Sequence, residues 1–194
     1  MASGDLRNVG RAFKIRAMSP ESLDLLRNTI RDVQDFPKPG IVFKDITPVL
    51  ADPKVMRLAI DALIETADGQ RIDKVAGIDA RGFIFGAAIC DRLGVGFVPI
   101  RKKGKLPWKT NGKSYSLEYG EASVEIHQDA VEKGENVLLV DDLLATGGTA
   151  DAAAILLKGL GANILAVSFF IELEFLEGRK RIEQHAPVRS ILAY

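Results

Sequence analysis

The sequence predicts an α/β fold with a central, mostly parallel sheet flanked by helices. Four short apolar segments alternate with helical or loop segments, at residues 74–78, 95–100, 136–140 and 164–171. Nearly continuous apolar runs are typical of parallel strands that are covered on both faces. Charged side chains follow three of these segments, at the strand ends where open α/β sheets bind ligands. The pattern therefore favours a doubly wound core with a ligand site along one edge of the sheet.

The N-terminal part of the chain precedes this core. Ser19 and Pro20 are typical of a helix start, and we expect this helix to reach about Val33. A turn rich in proline and glycine separates the helix from a short strand at residues 41–43. The expected divisions are an N-terminal extension at 1–18, a small unit of helix and strand at 19–50, and the core at 51–194.

The extension carries four basic side chains but no apolar stretch. We therefore expect it to be frayed and solvated rather than a secretory signal, with a short transit peptide as the alternative. Within the core, Pro53 begins a helix that reaches about Thr66, and residues 82–93 and 150–158 are predicted to form crossover helices. Residues 102–116 lack an apolar period, and we expect a flexible loop there. Just beyond it, residues 115–119 and 123–126 alternate like a hairpin.

Composition excludes several classes of function. The 26 Lys and Arg residues balance the 26 Asp and Glu residues, which gives no general affinity for nucleic acid or an anionic membrane. No apolar run approaches the length of a membrane span, and we expect a cytoplasmic protein. The lone cysteine, Cys90, lies in an apolar helical stretch and is expected to be buried. His127 and His185 lie in no recognisable ligand or triad motif, so we assign both to structure.

The most informative segment is residues 137–149, Val-Leu-Leu-Val-Asp-Asp-Leu-Leu-Ala-Thr-Gly-Gly-Thr. A buried strand ends at two carboxylates, Asp141 and Asp142, which can hold sugar hydroxyls. The loop that follows consists of Ala145, Thr146, Gly147, Gly148 and Thr149. This loop opens into a helix whose N-terminal N–H groups and partial positive charge favour an anion. The spacing predicts a ribose 5-phosphate site, and it matches neither the P-loop nor the dinucleotide-binding motif.

This segment resembles the phosphoribosyl diphosphate (PRPP) signature of the type I phosphoribosyltransferases. The resemblance implies the fold of that family, in which a small N-terminal hood and a flexible loop accompany the mostly parallel sheet. It also implies that Asp141 and Asp142 hold the ribose hydroxyls of PRPP and that residues 145–149 hold its 5′-phosphate.

Two further groups of residues at strand ends fit the same family. Asp79, Ala80 and Arg81 resemble its diphosphate loop, and the resemblance predicts a cis peptide bond between Asp79 and Ala80. The cations that follow the next strand are Arg101, Lys102 and Lys105. We expect these cations to grip the diphosphate leaving group while the loop at 102–116 closes and excludes water from the activated ribose.

Residues 35–48 and 115–121 resemble the adenine-specific members of this family. The resemblance extends over about residues 35–173 and implies transfer of the 5-phosphoribosyl group of PRPP to N9 of adenine, with AMP and diphosphate as products. It implies that Glu118 acts as general acid/base near N7 of the base. The residues that it assigns to adenine are Val42, Phe43, Arg81 and Leu143.

The family resemblance also implies a cofactor and an assembly. Mg²⁺ is expected to bind through the diphosphate, the ribose hydroxyls and water, with no protein ligand assigned to it. A homodimer is expected as well, although no interface is visible in the sequence.

Two alternatives keep the PRPP site and differ in what it does. One is an enzyme that prefers hypoxanthine, guanine or xanthine, from which residues 35–48 and Glu118 distinguish the adenine-specific enzymes. The other is a regulatory module that senses PRPP without catalysis. The segment before Asp35 is too short for a convincing helix-turn-helix domain, and the formal net charge is zero, so the sequence disfavours the regulatory module.

Overall fold

In the computed structural model, which describes residues 18–116 and 121–194, a seven-stranded sheet forms the core. The strands in chain order are β1 Arg31–Gln34, β2 Val42–Asp45, β3 Lys74–Ile78, β4 Gly96–Lys102, β5 Thr110–Ser116, β6 Glu121–His127, β7 Asn136–Leu144, β8 Asn163–Glu172 and β9 Val188–Ala193. The helices are α1 Pro20–Thr29, α2 Thr47–Ala51, α3 Pro53–Glu65, α4 Arg81–Leu93, α5 Gly148–Gly159 and α6 Arg179–Ile182, and a 3₁₀ turn covers Glu174–Leu176.

The large sheet has the strand order β5-β6-β4-β3-β7-β8-β9. Strands β4, β3, β7, β8 and β9 are mutually parallel, and the β5–β6 hairpin joins the β4 edge in antiparallel orientation. Strands β1 and β2 form a separate antiparallel pair. The predicted mostly parallel sheet is therefore confirmed.

Helices cover both faces of the sheet because alternate side chains of each central strand point to opposite sides. In β7, Val137 and Leu139 belong to one apolar cluster, which includes buried residues of α5 and β6. Leu138 and Val140 belong to a second cluster, which includes buried residues of α1, α3 and α4. This two-sided burial explains the continuous apolar run that marked the strand in the sequence.

Several predicted boundaries are wrong. Helix α1 ends at Thr29 rather than near Val33, because Ile30 is extended and the chain continues into β1, which pairs with β2. The predicted loop at 102–116 is wrong in its second half, since Thr110–Ser116 forms β5 and pairs with β6. Strand β7 continues past Val140 to Leu144, so both carboxylates lie within the strand.

Other expectations concern single residues and segments. Cys90 is buried, as predicted, and burial raises the pKa of its thiol to about 11.

His185 contacts Asp151 of α5, with 2.9 Å between Nε2 and Oδ1. Apart from Met18, the predicted extension lies outside the described residues. No helix in the described part of the chain is both long and apolar enough to cross a bilayer.

Candidate active site

A cavity of about 360 Å³ opens at the C-terminal ends of β3 and β7, the sheet edge where the sequence predicts the ligand site. The residues that line it are Ile78, Asp79, Ala80, Arg81, Lys102, Tyr115, Val124, Asp141, Asp142, Leu143 and Thr149. The other described residues of the prediction, which are not among these lining residues, are Val42, Phe43, Arg101, Lys105, Ala145, Thr146, Gly147 and Gly148. The cavity thus combines residues from each predicted group that the structure describes: the residues expected to bind ribose and 5′-phosphate, those expected to bind diphosphate, and those expected to bind adenine.

Residues 145–147 connect β7 directly to α5. Gly147 has φ 78° and ψ −3°, a left-handed conformation that glycine adopts without steric cost, and its carbonyl accepts the N–H of Asp151 at 2.9 Å. No side chain caps the start of α5, so none competes for the amides of its first turn. A helix of this length with uncapped N-terminal amides favours an anion at that end.

Tyr115 lines the cavity, although the sequence pattern did not indicate it as a site residue. It extends from β5, and its hydroxyl accepts a hydrogen bond from Thr149 Oγ1 at 3.0 Å. The position of Tyr115 depends on the register in which β5 pairs with β6. This register is set by pairing between strands and cannot be read from the local sequence.

The two carboxylates at the end of β7 have different surroundings. The N–H of Asp142 donates to Asp141 Oδ1 at 2.9 Å, and the Asp142 carboxylate pairs with Arg81, with 2.5 Å between Oδ2 and Nε. Burial, together with the neighbouring charge of Asp142, raises the pKa of Asp141 well above its usual range. Asp141 therefore carries its negative charge at an energetic cost, which a nearby positive charge would reduce.

The segment from Asp79 to Arg81 lies beside these carboxylates. The Asp79–Ala80 peptide bond is cis, which confirms the prediction. Helix α4 begins at Arg81 with no side-chain cap, which makes a second uncapped helix start at the cavity. A Cβ on Gly82 would lie only 2.7 Å from the Val140 carbonyl oxygen and 2.9 Å from Asp141 Oδ1. Glycine at this position thus allows the second helix start to approach β7 closely.

Arg101, near the end of β4, has partners within the protein. Arg101 Nε lies 3.0 Å from Asp79 Oδ2, and one of its terminal nitrogens, Nη1, donates to the Lys105 carbonyl at 3.0 Å. Lys102, the last residue of β4, lines the cavity, whereas Lys105 is exposed in the loop that follows. The guanidinium of Arg101 therefore connects this loop to Asp79.

The residues expected to hold a base lie on two elements. Phe43 of β2 is partly buried, and its ring contacts Phe36 edge-on, with 5.2 Å between the centroids. The Arg81 guanidinium lies 5.7 Å from the Phe43 ring centroid, so Arg81 spans the space between Phe43 and Asp142. Leu143 lines the cavity. Val42 is 41% exposed.

The contacts described above include neither the predicted general acid/base nor a metal ion. Glu118 lies outside the described residues, so its proposed role stays a prediction. Among the residues of 18–116 and 121–194, no cluster of three His, Cys, Asp or Glu side chains could hold a metal ion directly.

Comparisons with known proteins agree with this geometry. The phosphoribosyl transferase domain family matches residues 48–189, which is most of the chain. The adenine phosphoribosyltransferase of Nitrosococcus oceani is 54% identical over 172 residues, covering 89% of this chain and 100% of that protein.

Solved structures give the same result. The crystal structure of adenine phosphoribosyltransferase from Rhodothermus marinus matches with a TM-score of 0.85 and 50% identity, covering 91% of this chain and 100% of that one. The Saccharomyces cerevisiae enzyme, crystallised with an imino-altritol bisphosphate and adenine, matches with a TM-score of 0.83 and 40% identity, covering 88% and 98%.

Proposed function

This chain belongs to the adenine phosphoribosyltransferases, within the phosphoribosyl transferase domain family, and we propose that the cavity between β3 and β7 is its active site. The reaction transfers the 5-phosphoribosyl group of PRPP to N9 of adenine and releases AMP and diphosphate, a step of purine salvage. The observation that carries the site assignment is the convergence of two uncapped helix starts and two adjacent carboxylates on one cavity.

We assign the 5′-phosphate to residues 145–149, where the amides of α5 and the hydroxyl of Thr146 can donate hydrogen bonds. The hydroxyl of Thr149 can donate as well if it exchanges its present bond to Tyr115 for one to the phosphate. Asp141 and Asp142 hold the ribose hydroxyls. As the bond between C1 and diphosphate breaks, the ribose acquires positive charge close to these carboxylates. The raised pKa of Asp141 supports this assignment, because a developing positive charge offsets the cost of burying the Asp141 carboxylate.

We assign the diphosphate to the start of α4 and the cations near it. Asp79, Ala80 and Arg81 line the cavity where α4 begins, and Arg101, Lys102 and Lys105 supply positive charge to the leaving group. Arg101 has Asp79 as its present partner, so binding of diphosphate replaces one carboxylate contact with contacts to phosphate oxygens.

We assign adenine to the space between Phe43 and Leu143, where the planar base stacks against apolar side chains. Backbone groups of Val42 and Arg81 read its edge, since the fold fixes the positions of amide and carbonyl groups. Glu118 manages the proton at N7 while N9 becomes the nucleophile.

Mg²⁺ is the cofactor in this proposal, and the oxygen donors of Asp79, Asp141 and Asp142 at the cavity fit contacts to it through water. When bound with the diphosphate, the ion neutralises charge on the leaving group. We also propose a homodimer, on the strength of the family resemblance. Light scattering coupled to gel filtration tests this assembly.

A cytoplasmic location completes the proposal. PRPP and AMP are highly charged and do not cross bilayers unaided, so an enzyme that uses them works in the compartment where they are made. Fractionation of cells that produce the protein tests this location.

The reaction is tested by measuring product formation with PRPP, Mg²⁺ and each of adenine, hypoxanthine, guanine and xanthine in parallel. AMP formation with adenine alone is the expected result. Turnover with an oxopurine would contradict the assigned base pocket. Binding of PRPP without turnover of any base would contradict catalysis and favour a PRPP-sensing module.

The role of Glu118 is tested by Glu118→Gln, which removes the acid without changing its size. We expect kcat to fall roughly 10²-fold or more while PRPP still binds, because general acid–base catalysis contributes at about this level. The neighbouring Glu121→Gln serves as the control. A near-normal kcat for Glu118→Gln would remove this residue from the mechanism.

A further inference from the structure

A segment near the C-terminus contacts the 5′-phosphate loop, and the site assignment does not explain it. A Cβ placed on Gly178 would lie 2.1 Å from the Ala145 carbonyl oxygen and 2.9 Å from the Gly147 nitrogen. Conversely, a Cβ on Gly147 would lie 2.5 Å from the Gly178 carbonyl oxygen. The backbone at Gly178 therefore packs directly on the backbone at 145–147, at a distance that leaves no room for a side chain.

The conformation of Gly178 shows that the close approach alone requires glycine there. Its φ of −58° and ψ of −28° are ordinary right-handed helical values, which any L-residue adopts. Gly147 differs, because its φ of 78° favours glycine whatever surrounds it. At Gly178 only the contact with the loop excludes a larger residue.

The residue after Gly178 is firmly anchored. Arg179 makes a two-pronged contact with Glu172, with 3.0 Å from Nε to Oε1 and 2.5 Å from Nη2 to Oε2. Its Nη1 donates to the Val188 carbonyl at 2.9 Å, and the hydroxyl of Ser190 donates to Glu172 Oε2. Bidentate pairs of this kind fix the guanidinium in one orientation. Gly178 is therefore held in place through its neighbour.

Glu172 connects this anchor to the strand that leads into the loop. It is the last residue of β8 and lies opposite Leu144, the last residue of β7, while the N–H of Leu173 donates to the Leu144 carbonyl at 2.9 Å. Only 5% of the Glu172 side chain is exposed. Burial alone would raise its pKa, but the hydrogen bonds from Arg179 and Ser190 outweigh that effect and lower the pKa below its usual value. The carboxylate thus stays ionised and paired.

We propose that Gly178 and the Glu172–Arg179 pair are positioning residues for the 5′-phosphate loop. The pair fixes the chain at Gly178, and Gly178 supports the backbone at Gly147 by direct contact. None of the three is among the described residues that line the cavity, so they act through the loop. The inference rests on the proposed function, in which residues 145–149 bind the 5′-phosphate.

The first test compares Gly178→Ala with Gly159→Ala by calorimetric titration of AMP and, separately, of diphosphate with Mg²⁺. Gly159 ends α5, and a Cβ there would meet no atom within 4 Å, so it is a matched control. We expect Gly178→Ala to raise the Kd of AMP roughly 10- to 100-fold, because a displacement of about 1 Å in a binding loop has effects of this size. The Kd of diphosphate, which we assign to the start of α4 and to residues 101–105 rather than to the loop at 145–149, should not change.

The outcomes separate the inference from the proposed function. If Gly178→Ala weakens both ligands equally, or weakens neither, the positioning role is wrong. If the unaltered protein binds no AMP, the proposed function is wrong instead.

A second variant, Arg179→Lys, keeps the inference testable if Gly178→Ala does not fold. Lysine keeps the charge beside Glu172 but cannot form the two-pronged contact. We expect a smaller rise in the Kd of AMP than in Gly178→Ala, again with no change for diphosphate, and a higher KM for PRPP at an unchanged KM for adenine. Unchanged AMP binding in a folded Arg179→Lys variant would contradict the role of the pair.

Discussion

The two anion sites that we propose, the 5′-phosphate end (residues 145–149) and the diphosphate end (the start of α4 and the cations near it), are built differently. At the 5′-phosphate end, residues 145–149 offer backbone amides and two hydroxyls, and no cationic side chain of this loop takes part. At the diphosphate end, the arginines already have carboxylate partners: Arg101 contacts Asp79 at 3.0 Å, and Arg81 contacts Asp142 at 2.5 Å. The 5′-phosphate end offers backbone amides whose positions the fold fixes, whereas the diphosphate end offers arginines that already form ion pairs with carboxylates.

This difference has consequences for binding. Amides held by the backbone need no rearrangement when a phosphate arrives, so their contribution to affinity depends on the position of the loop. Cations that are already paired must exchange a carboxylate for a phosphate oxygen. Their contribution to the binding free energy is therefore the difference in free energy between the two ion pairs. Substitutions of side chains should therefore matter more at the diphosphate end and at the carboxylates of Asp141 and Asp142 than in the 5′-phosphate loop.

The largest effect is expected for the carboxylates Asp141 and Asp142, which line the cavity. Asp141→Asn should lower kcat roughly 10²- to 10³-fold, the usual cost of removing one electrostatic contact to a transition state. It should also raise Tm at neutral pH, because the native protein buries the Asp141 charge beside Asp142. Steady-state kinetics and thermal unfolding measure the two effects.

The pH dependence of this stabilisation has a definite sign. The pKa of Asp141 is raised in the folded state, so the contribution of this residue to stability is full at low pH and is lost as the pH rises through the folded-state pKa. The gain in Tm of Asp141→Asn over the unaltered protein should therefore grow as the pH rises from acid to neutral. Asp142→Asn is the contrast, because it leaves Arg81 unpaired and should give no such gain. A lower Tm for Asp141→Asn at neutral pH would contradict this account.

Arg101→Met should have the next largest effect. Removing this cation should raise the Kd of diphosphate about tenfold, since hydrogen bonds to charged groups contribute about 1.5–3 kcal/mol and the loss of the Asp79 pair offsets part of that. The Kd of AMP should not change. Calorimetric titration measures both constants, with Arg189→Met as the control, because Arg189 pairs with Asp68 and is not among the residues that line the cavity. Equal weakening of AMP and diphosphate would show that the two ends are not independent.

The same contrast explains which parts of the molecule could be predicted from sequence. The 5′-phosphate loop is a continuous segment in which strand, carboxylates, glycines and helix follow one another, so local pattern contains nearly all the information. The segment 79–81 and its cis peptide bond were predicted from family resemblance, which compensates for a weak local signal.

Elements whose position depends on distant partners were missed or misplaced: β1 was not predicted, and the first strand of the hairpin was predicted to begin at Tyr115, whereas β5 begins at Thr110. Strand β1 consists largely of exposed polar residues, and β5 contains Asn, Gly, Lys and Ser, so neither has the apolar alternation that marks a strand. Pairing with β2 and β6 forms these strands. The contact of Gly178 with the loop was invisible for the same reason, since about thirty residues of chain separate its two sides.

The smallest effect is expected for Tyr115→Phe, which tests whether side chains matter little at the 5′-phosphate end. The hydroxyl of Thr149 donates to that of Tyr115, whose own proton remains available to a ligand in the cavity. Losing this hydroxyl should raise the Kd of AMP only about 2- to 10-fold, because one neutral hydrogen bond contributes a net 0.5–1.5 kcal/mol.

Thr149→Val should have an effect of similar size, and the double variant should lose less than the sum of the two, because both substitutions remove one shared hydrogen bond. Additive losses would show that the two hydroxyls act separately on the ligand. A loss of more than tenfold for Tyr115→Phe, which would exceed the expected effect of Arg101→Met on diphosphate, would overturn the comparison itself, because the 5′-phosphate end would then depend on side chains at least as strongly as the diphosphate end does.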